Sequence, residues 1–124
     1  MATRSSIGVK TADGILSIYC HWDGYPSHNG KILKEHYTSP TKVMELLQLG
    51  NLSILGPELG EQHDFDGGGV PGWCTAYGRD RGETEQNAIT HKTIKEWKGA
   101  RSNWCCEYGY LFDVATGKWK TYTI

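Results

Sequence analysis

The sequence is poor in phenylalanine, methionine, proline and net charge, and each shortage removes a class of explanation. Two Phe and two Met leave little material for a dry aromatic or thioether-rich interior. Thirteen Lys and Arg stand against fourteen Asp and Glu, a formal net charge of -1. A chain so balanced has no general electrostatic hold on a nucleic-acid polymer or an anionic bilayer. No apolar run approaches the roughly 18 residues of a spanning helix. The opening Met1-Ala2-Thr3-Arg4 leads into no signal-peptide core. The expectation is a soluble protein that stays where it is made. No Gly-x-Ser-x-Gly elbow, His-Glu-x-x-His pair or P-loop occurs, so catalysis has no local signature.

The four cysteines also lack a useful spacing. Cys20, Cys74, Cys105 and Cys106 contain no Cys-x-x-Cys, and on a strand the adjacent pair would point to opposite faces. Without export, free buried thiols are the expected state, with a Cys20/His21/Cys74 metal site as the alternative.

Glycine and polar-tipped rings are abundant. Sixteen of 124 residues are Gly, nearly twice the usual share of about 7%. Five Trp and seven Tyr suit half-buried positions and binding surfaces. The length fits one domain, residues 1–124, able to bury roughly two-thirds of its unfolded surface.

Along the chain, Ile7 and Val9 alternate with polar residues from Ser5 to Thr11, Asp13-Gly14 supplies a turn, and Ile15 to His21 follows. Leu16, Ile18 and Cys20 then share one face, Ser17, Tyr19 and His21 the other. This predicts an N-terminal hairpin opening into the loop Trp22-Asp23-Gly24-Tyr25-Pro26-Ser27. Asn29 is placed to cap a short helix over Gly30 to Tyr37. Ser39-Pro40 starts a clearer helix with Val43, Leu46 and Leu47 inward and Gly50 as its stop. Between Asn51 and Gly72 periodicity fails. Leu52, Ile54 and Leu55 are expected on the core, and Gly60 to Gly72, with Gly67-Gly68-Gly69 inside it, reads as a long loop, the kind that is functional or disordered. Trp73 to Arg79 reads as a third strand, Thr90 as the cap of a helix carrying Ile94 and Trp97 and closed by Lys98-Gly99, and Trp104–Val114 with Lys118–Ile124 as a closing hairpin. The sum is an α+β domain: about five mostly antiparallel strands with two or three short helices on one face.

Three segments concentrate functional side chains. In His21-Trp22-Asp23-Gly24-Tyr25-Pro26, Trp22 and Tyr25 offer flat surfaces for a base while His21 and Asp23 supply hydrogen bonds; equally, Trp22 could plug the core edge and Asp23 cap its own turn. In His63-Asp64-Phe65-Asp66, the imidazole and carboxylates suit a divalent ion, the following glycines an anion nest, and an ordinary surface loop would use none of this. In Trp73 to Arg81, strand alternation would align Trp73, Thr75, Tyr77 and Arg79 on one face, rings for a base and guanidinium for a phosphate, with Arg81 close behind. A half-exposed sheet face with a surface Arg–Asp pair explains the same residues. Lys118, Lys120 and Arg101 are further positive groups whose position the sequence does not fix.

The run Ile18-Tyr19-Cys20-His21-Trp22-Asp23-Gly24-Tyr25-Pro26, then Gly30-Lys31-Ile32-Leu33 and His36-Tyr37, resembles a family of small bacteriophage and prophage proteins. Asp64-Phe65-Asp66, Tyr77-Gly78-Arg79-Asp80-Arg81-Gly82 and Tyr108-Gly109-Tyr110-Leu111-Phe112 extend the likeness over nearly the whole chain. The family looks close to the anti-CBASS sponges, which sequester the cyclic-nucleotide signals of bacterial defence. The resemblance implies a viral protein in the cytoplasm of the infected host. It would bind a small cyclic nucleotide (cyclic GMP-AMP, for example) without cleaving it, as a homo-oligomer, dimer or tetramer, with sites at subunit boundaries. It implies no cofactor, no metal and no catalytic residue. On the chemistry above, the ligand-binding set is Trp22, Tyr25, Trp73, Tyr77, Arg79, Arg81, His21 and Asp23. The competing expectations are a protein–protein inhibitor of a host defence enzyme, marked by a broad exposed aromatic patch, and a small nucleotide-cleaving enzyme.

Overall fold

A computed structural model describes residues 2–67 and 69–124; Met1, and Gly68 of the glycine run, lie outside the described residues. The expected hairpin forms from β1 (Ser5–Thr11) and β2 (Gly14–Cys20), with Ser5 opposite Cys20 and Thr11 opposite Gly14. One turn of π-helix, Pro26–Gly30, then runs straight into α1 (Lys31–His36). Asn29 does not cap α1: Gly30 is already helical there, and the Asn29 side chain turns into the interior. α2 (Pro40–Gln48) follows the expected pattern, with Pro40 in its first turn and Val43, Leu46 and Leu47 buried.

Beyond α2 lie β3 (Leu52–Ile54), β4 (Thr75–Ala76), α3 (Tyr77–Arg81) and β5 (Ile89–His91). The expected third strand is therefore cut to two residues, and the chain enters a helix at Tyr77. α4 (Ile94–Ser102) is capped by Thr93, not Thr90. Thr93 accepts from the Glu96 amide at 3.1 Å while the Glu96 carboxylate accepts from the Lys92 amide at 3.1 Å, and the helix runs past Gly99 to Ser102. The closing hairpin is β6 (Tyr108–Asp113) and β7 (Lys118–Thr123). Cys105 and Cys106 thus precede the strand instead of alternating along it: Cys105 is exposed at a φ of 62°, Cys106 buried.

The fold is α+β. Seven strands form one sheet in the order β4-β3-β2-β1-β6-β7, with β5 also on β2. Most pairs are antiparallel, but β1–β6 and β2–β3 are parallel. Strand alternation sorts the two faces. Ile7, Val9, Ile18, Cys20, Tyr110 and Phe112 meet Leu33, Tyr37, Val43, Leu46 and Leu47 of the α1–α2 layer. The opposite face carries small residues in the middle strands (Ser6, Gly8, Ser17, Gly109), and α4 lays Trp97 and Arg101 over them. Helices therefore cover both faces, not one, because the small side chains leave a depression that two large ones fill. The Trp97 indole donates to the Ser6 hydroxyl at 2.9 Å, which donates to the Ile18 carbonyl at 2.9 Å. Among the described residues no helix is long and apolar enough to cross a membrane.

This packing makes Gly109 obligatory. A Cβ there would lie 2.7 Å from Trp97 Cη2 and 3.0 Å from Ile124 Cδ1. Gly109→Ala is expected to cost about 1–3 kcal/mol by overpacking, read as a lower urea midpoint with an unchanged slope.

Candidate functional site

The loop after β2 is built from below. The His21 amide donates to the Leu52 carbonyl and the Trp22 amide to Ser53, both at 3.0 Å, which extends the β2–β3 pairing into the motif. The Gly24 amide donates to the Thr3 carbonyl at 2.8 Å, and the Tyr110 hydroxyl donates to the Gly24 carbonyl at 2.6 Å. The buried Asn29 amide donates to the Trp22 carbonyl at 3.4 Å and approaches Cys20 Sγ at 3.3 Å. Gly24 must be glycine, since a Cβ would sit 2.7 Å from both the Thr3 carbonyl and Ser5 Cβ. Asp23 sits at a φ of 54°, in the left-handed region that Asp tolerates better than most L residues.

On this fixed backbone the rings point outward. Trp22 is 44% exposed and Tyr25 38%, so Trp22 does not plug the core. His21 meets Trp22 edge to face at 4.7 Å, and its Nδ1 lies 2.7 Å from the Tyr19 hydroxyl. Burial, then the nearby Arg4 charge, holds His21 below the usual imidazole value. Burial pushes the Tyr19 phenol up to about 12. The Tyr19 proton therefore stays on oxygen at neutral pH, and the phenol and the imidazole share one hydrogen bond.

Next to this loop opens a cleft of about 430 Å³. Asp23, His28 and Ile32 line it together with Ile54, Gly67, Gly69 and Trp73. Of the expected binding residues only Asp23 and Trp73 line the cleft; His63 to Asp66 do not, and Trp22 and Tyr25 stand beside it. A somewhat larger hollow, about 480 Å³, lies between the hairpin turns at Thr11 and Val114 and contains none of the motif residues.

The expected column Trp73–Thr75–Tyr77–Arg79 is not present, because the helix at Tyr77 breaks the alternation. Trp73 packs on His63 at 5.8 Å. Tyr77 lies against Phe65 at 5.4 Å, and the Arg81 guanidinium sits 5.0 Å from the Phe65 ring centre. Arg81 is 54% exposed and reaches Glu83 at 3.3 Å. Arg79 is spent within the fold. It grips Asp80 in a fork (Nε to Oδ1 2.9 Å, Nη2 to Oδ2 3.1 Å) and donates to the carbonyls of Leu59 at 2.8 Å and Cys74 at 2.7 Å. It has no donors to spare for a phosphate, which corrects its place in the expected set.

The Asp80 carboxylate, wholly buried, is the centre of that knot. It also accepts from the Ala76 amide at 2.7 Å and the His63 amide at 3.2 Å. His63 in turn points Nδ1 at the Glu61 carbonyl, 2.7 Å, and Nε2 at the Thr75 hydroxyl, 3.0 Å. The His63–Asp66 stretch is therefore anchored by its histidine, while Asp64 closes a local turn on the Asp66 amide at 3.0 Å. Among the described residues no three His, Cys, Asp or Glu side chains are placed to share a metal ion. Cys20 and Cys74 are buried separately from the His21 ring, Cys20 under Asn29 and Cys74 beside the Tyr37 hydroxyl at 3.3 Å. Burial lifts the Cys20 and Cys106 thiols to about 12, so neither is a thiolate at neutral pH.

Lys118 and Lys120 lie on β7, at the opposite edge of the sheet from β3 and β4, and Arg101 is buried on Ser17. The residues that sequence reasoning missed are His28 in the cleft wall and the supports Asn29, Tyr110 and Asp80. Only the buried amide beside a glycine-proline loop was a usable signal. No family model, curated protein or solved structure matches the chain.

Burial raises the Asp80 carboxyl, but the Arg79 fork and the Ala76 and His63 amides outweigh it and hold the group below its usual value. Its contribution to stability is present above the unfolded value near 3.9 and is lost as pH falls through that region toward the folded value. Asp80→Asn, which leaves Arg79 without a counter-charge, is expected to cost about 3–5 kcal/mol at neutral pH. In urea unfolding at stepped pH, the gap from the parent protein should narrow below about pH 4.

Proposed function

We propose that this chain is a non-catalytic bacteriophage binding protein that captures a small cyclic nucleotide immune signal on the Trp22–Tyr25 loop and the adjoining cleft. The observation that carries the reading is a loop braced by Asn29, Tyr110 and Thr3 that nonetheless leaves both its rings in solvent. Two half-exposed rings on an ordered loop suit a ligand platform, which gains affinity from being ordered before binding. Each stacked base contributes roughly 1–3 kcal/mol, and each charge-assisted hydrogen bond about 1.5–3 kcal/mol. With Arg79 committed, Arg81 and Arg4 are the cations for the phosphates, and Asp23 and His28 the hydrogen-bonding groups for sugar or base edge. One chain offers one platform, so a two-base ligand is met by two copies, and the working unit is a homo-oligomer. The place of action is the cytoplasm of the infected host, and the reading needs neither cofactor nor metal.

A second reading, inhibition of a host defence enzyme by direct contact, is favoured by one observation. A further exposed ring, Trp104, lies near the loop, 5.3 Å from the buried Tyr19 ring whose hydroxyl meets His21.

The test is a thermal-shift panel of cyclic dinucleotides and related signals, since a ligand of the native state raises its melting temperature. A positive hit should weaken by about 5- to 100-fold in Trp22→Ala and in Tyr25→Ala, with the ligand-free melting temperature little changed. Ligand recovered intact after denaturation supports capture over cleavage. A flat panel together with a stable heterocomplex in pull-downs replaces this reading with the second.

A further inference from the structure

The second face of the sheet holds a charge with no counter-charge. Arg101 is 0% exposed and stands on the small-residue floor described above. Its Nε and Nη2 donate to the Ser17 hydroxyl at 3.1 and 3.0 Å, and Nη2 also donates to the Ser17 carbonyl at 3.0 Å. The Ser17 oxygen, already accepting from the guanidinium, spends its own proton on His91 Nε2 at 2.8 Å, so His91 is the neutral tautomer. Burial, then the Arg101 charge, holds His91 below its usual value, in agreement. Cys106, the other titratable neighbour, is lifted to about 12 and supplies no negative charge. Glu96, across His91, turns its carboxylate to the Lys92 amide. Among the described residues no carboxylate lies within ion-pair distance of Arg101, and its buried Nη1 has no hydrogen-bond partner. A buried guanidinium lacking both is a standing penalty that an apolar side chain of similar volume would not carry.

A half-exposed indole lies against the charge. The Trp104 ring lies 4.8 Å from the guanidinium carbon and 5.3 Å from Tyr19. It is 40% exposed and sits in the turn after α4, next to Cys105 at its positive φ. Its backbone is fixed by the amide donating to the Arg101 carbonyl at 3.0 Å, and its side chain is held by ring contacts, so the indole can turn about a fixed backbone.

We infer that Arg101 and Trp104 form a second ligand site, one that takes a phosphate-bearing ring compound such as a nucleoside monophosphate. The indole swings outward, Nη1 receives a phosphate oxygen, and the freed ring stacks on the base. The missing counter-charge is thus supplied by the ligand. This site lies outside the Trp22–Tyr25 platform and does not depend on it.

The probes are inorganic pyrophosphate and adenosine monophosphate, each against sodium chloride at matched ionic strength. In the parent protein both should raise the melting temperature and shift the slowly exchanging Nε–H resonance of the buried arginine, with the monophosphate bound severalfold to about 100-fold more tightly. Trp104→Ala removes the lid and the stacking surface together: pyrophosphate should bind as well or better, and the preference for the monophosphate should vanish. Arg101→Met should abolish the response to pyrophosphate, which has no base to stack on the Trp22–Tyr25 loop, and Trp22→Ala should leave that response intact. If Arg101→Met does not fold, the parent resonance and Trp104→Ala decide. The inference is overturned if neither parent nor Trp104→Ala responds to pyrophosphate beyond chloride. A pyrophosphate response that survives in Arg101→Met, or disappears in Trp22→Ala, overturns it equally.

Discussion

β1 is enclosed on all four sides. Its edges are taken by β2, antiparallel, and β6, parallel, and its faces by the α1–α2 layer and by α4, so residues 5–9 are all buried. In this strand only one of the two covered faces carries large side chains. Ile7 and Val9 fill the side toward α1 and α2, while Ser6 and Gly8 keep the other side shallow. That shallowness admits Trp97 and Arg101, and it is why the hydroxyls of Ser6 and Ser17, instead of apolar groups, meet the large side chains. Hydrogen bonding to serine lets an indole and a guanidinium lie flat on a sheet that would otherwise demand aliphatic contacts.

The parts of the fold legible in the sequence are those with enough residues to display a period. β1 and β2 show seven each, α2 nine, β6 and β7 six each. β3, β4 and β5 have two or three residues, too few for alternation to be seen. The stretch from Trp73 to Arg79 misleads for the opposite reason. It alternates well, yet the Asp80 carboxylate reaches back to the Ala76 amide and turns the chain into a helix. That bond depends on Arg79 and on His63 from a distant loop, so no window of local sequence contains its cause.

The same limit governs the candidate site. Aromatic residues in a glycine- and proline-marked loop were readable as exposed rings or as a buried plug, and the structure leaves both rings half-exposed. Arg79 and Arg81 are indistinguishable by type and spacing. One is locked against Asp80 and two backbone segments, the other lies open over Phe65. What separates them is the location of a buried carboxylate, a tertiary fact. Arg101, named in the sequence only as spare positive charge, turns out to be the most deeply enclosed cation among the described residues.

The hydroxyl beneath Gly24 belongs to a residue 86 positions later in the chain. During synthesis the loop with its two rings therefore emerges long before this strut, and its Gly24 corner gains its last support when β6 docks beside β1. A fragment ending before residue 110 carries the whole motif without that support, so the loop's final bracing and the completion of the sheet are one event.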